Sequence, residues 1–283
     1  MVESLRRGGA PSLSGIGLKI AAALAVALLA GLFSVPLVAL FLRVPPLQIL
    51  QKFGDPMVLD ALKLSLGTAL ISTLIVVALG LPAAYLLATR NFPGKRLVEV
   101  LFELPMVLPP TVAGFALLLA FGRAGLLGRE LHALGIQIPF TTLGVVVAQV
   151  FMSAPFFISP AAAGFTSVDR RYLEVAATLG ASEPYSFFRV TLPLSLPSLV
   201  AGATMACARA LGEFGATITF AGNLRGKTQT MPLAVYMALE SDLDGAIALA
   251  IVLVVISVAL LLSLRRFQSN LYWKAPDAHR RVR

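Results

Sequence analysis

Apolar runs of membrane-crossing length limit what this chain can become. Stretches near residues 20–42, 64–88, 104–121, 143–163, 198–220 and 245–264 approach or exceed the roughly 20 residues a helix needs to cross about 30 Å of hydrocarbon. Lipid cannot hydrogen-bond a bare backbone, so such runs are helices, and the prediction is an all-α polytopic membrane protein of six spans. Composition agrees: 58% of the 283 residues are hydrophobic and 13% charged, outside the usual range of a soluble domain. The third run is the most crowded by proline, because Pro105, Pro109 and Pro110 remove three backbone donors at its start. Bundled membrane helices tolerate proline better than soluble ones, so the run is kept as a span.

Lys and Arg orient the spans. With the amino terminus inside, 15 of the 23 fall in inner segments, 7 in outer segments, and Arg209 lies within a span. That asymmetry predicts both termini on the cytoplasmic face of the membrane. The net charge of +9 is then mostly inner-face charge facing lipid headgroups, with no call for a nucleic-acid partner. Arg6 and Arg7 precede the first run as they would in a secretion signal, but that run exceeds a signal's core of about 7–15 residues and reads as a retained anchor. The expected organisation is a cytoplasmic segment 1–19, a membrane domain 20–264 and a basic cytoplasmic tail 265–283, with Trp273 as an interfacial anchor.

Chemistry is sparse. Cys207 is the single cysteine, and His132 and His279 are the two histidines, in an outer loop and the basic tail. They predict no disulfide framework, no metal cluster, no nucleophile with its base, and no catalytic residue. The chain has neither a G-x-x-x-x-G-K-[ST] phosphate loop nor a G-x-S-x-G elbow. It therefore binds no cofactor of its own on this reading, and nucleotide-driven work would need an ATPase on another chain.

Residues 169–193, DRRYLEVAATLGASEPYSFFRVTLP, interrupt the apolar runs with mixed charge. Thr166 with Asp169 suits a capping box, Gly180 a left-handed helix end, and Ser182 a second cap with Pro184 in its first turn. Two short helices bent at Gly180 follow, with Leu-Pro at 192–193 as terminator. Leu173, Ala176, Ala177 and Gly180 would form a smooth face, and Tyr185, Phe188 and Leu192 a bulkier one. Such an element is either a docking device or a helix pair resting on lipid headgroups.

Glu174, Ala176, Gly180, Val190, Leu192 and Pro193 stand at the spacing of the cytoplasmic signature of membrane subunits of binding-protein-dependent ABC importers: Glu-Ala-Ala, three residues, Gly, nine residues, Ile, one residue, Leu-Pro. The chain resembles that family over roughly residues 55–265. Val175 and Val190 depart from it, where the family usually has Ala and Ile. ELPMVLPPTVAGFALLLAFGRAGLLG at 103–128, ARALGEFGAT at 208–217 and KTQTMPLAVYMALESDLDGAIALA at 227–250 resemble the molybdate/tungstate permease branch. Sulfate permeases share the Gly-Glu-Phe-Gly run, and the Leu-Pro-Pro-Thr-Val stretch at 108–112 tips the choice.

The resemblance implies a type I ABC importer permease fold in which 169–193 is a coupling helix seated on a cytosolic ATPase. It further implies a homodimer with two ATPase subunits that bind ATP and Mg, an external oxyanion-binding protein, and import by alternating access. Sulfate or thiosulfate is the alternative cargo. A passive channel or ion-coupled carrier is the alternative class, and it would not need the 169–193 surface.

Arg209 and Glu213 are the main intramembrane charges. Either one alone at the bilayer centre costs about 2.5–3.5 kcal/mol on insertion, so both should face protein or water. At i and i+4 they share a helix face, which leaves open a neutral structural strut or a part of the pathway wall. Gln149, Ser153, Ser159, Thr204 and Thr217 are read as interhelical hydrogen-bonders ahead of pathway lining. Arg225 and Lys227, in an outer loop, are either a binding-protein contact or solvated charge. Glu240, Asp242 and Asp244 are placed to cap the sixth span.

Overall fold

The computed structural model describes residues 13–45, 47, 49 and 54–274. Arg6, Arg7, Lys52, His279, Arg280, Arg281 and Arg283, and the side chains of Trp273 and Lys274, lie outside the described residues. Every regular element among the described residues is a helix. It comprises α1 (Leu13–Arg43), α2 (Pro56–Thr89), α3 (Lys95–Val107), α4 (Pro110–Phe121), α5 (Gly128–Ala133) and α6 (Thr142–Thr166). There follow α7 (Arg170–Thr178), α8 (Glu183–Ser186), a π-helical turn (Phe187–Thr191), α9 (Leu192–Leu211), α10 (Gly215–Phe220), α11 (Met231–Leu239) and α12 (Leu243–Lys274).

Among the described residues, five helices are long and apolar enough to cross a membrane, and a sixth span exists if α3 and α4 are one span bent by 119°. Two expected spans are corrected here. The third does not run straight from 104 to 121, because Pro109 and Pro110 leave the backbone no donors with which to continue α3, which ends at Val107 with Leu108 as its C-cap. The fifth does not run from 198 to 220: its apolar helix is Glu183–Leu211, and the chain breaks at Gly212 before α10 begins. Leu192 and Pro193 accordingly stand at the start of α9, where the helix runs on from the π turn, and terminate nothing.

The core is a three-helix packing of α2, α6 and α9. Val76, Ala84 and Leu87 meet Phe157, Ile158, Ala161 and Phe165, with Leu199 and Ala206 closing the cluster. Lipid tails are as apolar as these side chains, so close packing and interhelical hydrogen bonds must supply what hydrophobic burial does not. Ser72 Oγ donates to Gln149 Oε1 at 2.9 Å and lies 3.3 Å from Val146 O, tying α2 to α6. Ser65 Oγ accepts from Met231 N at 2.7 Å, supplying the first turn of α11 with an acceptor. Asp242 caps α12 by accepting from Gly245 N at 2.9 Å. Among the described side chains, Leu40 of α1 and Val44 just after it pack on Ala248 and Ile251 of α12, and residues 18–39 are mostly exposed.

Candidate functional site

The chain leaves α6 and enters the 169–193 element through Asp169, whose Oδ1 accepts from Arg171 N at 3.0 Å. Asp169 is thus the cap of α7. Thr166, expected in that role, is the last residue of α6, and its hydroxyl donates to Ala162 O at 2.9 Å. A threonine inside a helix meets the carbonyl four residues back before it meets the next helix.

At the other end of α7, Gly180 N donates to Ala177 O and Ala181 N to Ala176 O, both at 3.0 Å. These two bonds define a Schellman closure, which needs a left-handed residue, and Gly180 supplies φ +79°. Ser182 then accepts from Tyr185 N at 3.4 Å, with Pro184 in the first turn of α8. The predicted bend and second cap are therefore present.

The element joins α9 through the π turn, in which Leu192 N donates to Phe187 O, five residues back. Pro193 accounts for it: in an α-helix its ring would strike Arg189 O, and widening the preceding turn relieves that contact.

Ala176, Gly180 and Val190 of the signature line one open groove of about 960 Å³, together with Tyr172, Val175 and Leu179. Glu174 is exposed and off that wall, while Leu192 and Pro193 belong to the start of α9. The smooth and bulky faces divide differently from the expectation. Leu173 and Ala176 are half-buried and Ala177 exposed, whereas Tyr172, Val175 and Leu179 put exposed apolar side chains on the groove that Tyr185 also lines, and Phe188 is exposed away from it. Val175 sits 58% exposed, so its extra bulk meets no crowding within this chain.

Beneath the element lies a ring cluster that the sequence did not announce. Tyr85 of α2 stands edge-on to Phe165 of α6 with centroids 5.5 Å apart, and to Phe187 of the π turn at 4.7 Å. Three aromatics so far apart in sequence share no period, so only the tertiary packing assembles them. Ser72, by contrast, could have been found: Ser65, Thr68 and Ser72 recur at helical spacing as a buried hydroxyl stripe on α2.

The second candidate site is the break after α9. Arg209 Nη1 lies 2.6 Å from Glu213 Oε2; the carboxylate is fully buried and the Arg209 side chain 23% exposed. The predicted pair exists, but not as two residues of one helix face, because Glu213 lies past the helix end at Gly212. Its Oε1 accepts from Ala216 N at 2.8 Å, so the same carboxylate caps α10.

Two of the quoted sequence stretches meet here. A Cβ on Gly114 would stand 2.6 Å from Ala216 O, and one on Gly215 would stand 2.7 Å from Pro110 Cβ, so α4 and α10 touch backbone to backbone. Ala113 and Leu117 complete that packing with Ala216 and Phe220. Thr217 Oγ1 is buried there without a partner.

Among the other polar positions, Gln149 bridges helices as expected. Ser153 and Thr204 instead donate to Gln149 O and Val200 O of their own helices, and Ser159 is exposed. Arg225 and Lys227 are exposed in the loop between α10 and α11, at the end of the bundle opposite the 169–193 element. Thr142 Oγ1 donates to Lys227 O at 2.9 Å, holding that loop to the start of α6. Among the described residues no group of three or more His, Cys, Asp or Glu is placed to hold a metal ion.

Residues 77–272 match the family of binding-protein-dependent transport system inner membrane components. The chain belongs to that family, and is a transport permease subunit. It is 45% identical over 81% of its length, and 87% of the relative's, to the molybdenum transport system permease protein ModB of Mycobacterium tuberculosis (strain ATCC 25618 / H37Rv). It is 36% identical to the sulfate transport system permease protein CysT of Escherichia coli (strain K12), over 83% of this chain and 86% of that one. Its fold is also similar to a chain in the crystal structure of a bacterial ABC transporter involved in the import of the acidic polysaccharide alginate. That likeness has a TM-score of 0.73 at 16% identity, over 89% of this chain and 95% of that chain.

Proposed function

We propose that this chain is the membrane subunit of an ATP-driven importer of molybdate or tungstate. It would act as a homodimer with two cytosolic ATPase subunits and an external oxyanion-binding protein. The observation that carries the reading is the 45% identity to a molybdenum permease across 81% of the chain, against 36% to a sulfate permease over a similar share. In this reading α3 and α4 together make the sixth span of a type I importer permease fold, and both termini face the cytoplasm, where the basic segments gather.

The 169–193 element serves as the coupling helix. Its exposed apolar side chains, Tyr172, Val175 and Leu179, suit a protein cleft better than water. Gly180 sets the angle at which they are presented, Glu174 meets the partner or fixes the loop, Ala176 and Val190 line the docking groove, and Leu192 and Pro193 join the element to α9. ATP binding draws the two ATPase subunits together, and the pull on each element reaches α6 and α9, to which it is covalently joined. Hydrolysis and product release reset the inward-facing state.

Arg209 and Glu213 serve first as a strut that holds the break between α9 and α10. The partly exposed guanidinium also offers a weak, transient attraction to a doubly negative cargo, since a tight site would slow release. Arg225 and Lys227 lie at the end of the bundle that the external protein would approach.

The test is reconstitution of the complex in lipid vesicles with ATPase subunits and binding protein. Molybdate or tungstate should stimulate ATP hydrolysis and be taken up, and sulfate should do neither. Stimulation by sulfate alone would move the assignment to the sulfate branch, and uptake without ATP would remove it from this class.

A further inference from the structure

The coupling element is covalently attached to α6 and α9 but not to α2, yet α2 belongs to the same packed core. A stroke that moved α6 and α9 alone would have to shear them past α2. The ring cluster lies at this junction. Phe187 opens the π turn that ends the element, and its ring stands 4.7 Å from Tyr85 of α2 at an interplanar angle of 69°. It also lies 6.2 Å from Phe165 at the end of α6, and 5.0 Å from Phe188. Phe187 is half-buried and Phe188 is 64% exposed, so the first ring is turned into the core and the second away from it.

A second tie joins the same two elements, since Arg90 Nη2, at the end of α2, lies 3.3 Å from Glu183 Oε2 of α8. With side chains 62% and 85% exposed, that pair is screened by water and holds little by itself. Tyr85 and Phe187 are both half-buried, so the ring contact is the better shielded of the two ties.

We propose that Phe187 is a positioning residue for transport, through which movement of the 169–193 element is delivered to α2 by way of Tyr85. The proposal rests on the coupling role given to that element above. The π turn has a part in it. Each residue of an α-helix turns the chain by about 100°, so one extra residue in the turn decides which of the two adjacent phenylalanines points at Tyr85.

The test uses the complete complex in vesicles, and reads oxyanion taken up per ATP hydrolysed. An aromatic pair shifts an equilibrium by about two- to twelvefold. Phe187→Ala and Tyr85→Ala are each expected to lower the uptake-to-hydrolysis ratio within that range while ATP hydrolysis persists. The double variant should be no worse than either single one, because both remove the same contact. Tyr85→Phe keeps the ring and should keep the ratio.

If Phe187→Ala yields no folded complex, Phe187→Leu retains bulk without the ring and is expected to assemble with a lowered ratio. Three results overturn the proposal: hydrolysis and uptake falling in parallel, a wild-type ratio in Phe187→Leu, or additive losses in the double variant. Wild-type complex that fails to couple hydrolysis to uptake would refute the coupling role of the element itself. A wild-type complex that couples, beside an indifferent Phe187 variant, refutes only the role of the ring.

Discussion

Removing the Glu213 carboxylate tests whether the break after α9 is held by charge. Glu213→Ala strands the Arg209 guanidinium and takes the acceptor from Ala216 N, 2.8 Å away. Breaking a buried ion pair from one side costs about 3–5 kcal/mol, and because the Arg209 side chain keeps 23% exposure the lower part of that range applies, about 3 kcal/mol. Arg209→Ala strands the more deeply buried partner, so about 4 kcal/mol is expected. The double variant leaves neither charge alone, and the cycle should return a favourable coupling of about 2 kcal/mol or more.

Unfolding in mild detergent can be followed through the thiol of Cys207, which is half-buried two residues before Arg209 and is the single cysteine of the chain. Losses that add to within about 0.5 kcal/mol would refute direct pairing. Vesicle uptake by the double variant then separates the two roles. A folded protein with poor uptake is expected, and full uptake would reject any part for Arg209 in the pathway.

Gly180→Val should cost about 1–2 kcal/mol locally, from the left-handed backbone alone, because no atom lies within 4 Å of the added Cβ. It should weaken coupling of ATP hydrolysis to uptake while folded yield holds, and Gly180→Asn should be milder; equal coupling in Val and wild type would reject the bend as the reason for glycine. Gly114→Ala should destabilise by about 1–3 kcal/mol, since its Cβ would enter Ala216 O, and an unchanged unfolding midpoint would refute the close approach of α4 and α10. Gln149→Leu leaves the Ser72 hydroxyl only Val146 O, 3.3 Å away, and should cost about 0.6–1.7 kcal/mol; Ser72→Ala should cost less in that background than in wild type, and equal costs would mean that the bond contributes nothing.

Local chemistry was legible without the fold. Apolar length announced five of the spans, because lipid leaves a backbone no choice but helix. Gly180 and Ser182 marked the bend and the second cap, since left-handed geometry and cap acceptors are properties of single residues. The Arg209–Glu213 pairing was legible from spacing, and the family from the 169–193 signature.

Tertiary structure decided the rest. Proline positions alone did not say whether α3 and α4 would bend or stay straight, nor that Pro193 would open a helix through a π turn instead of closing one. The break after Leu211 turned a pair expected on one helix face into an ion pair that also caps α10. Tyr85, Phe165 and Phe187 met only because α2, α6 and the π turn pack at one end of the bundle. The physical reason is range: hydrogen-bond caps and apolar length act over a few residues and can be read along the chain. Contacts between distant helices depend on which faces turn together, and in a chain apolar on every side the sequence carries little periodicity to say so.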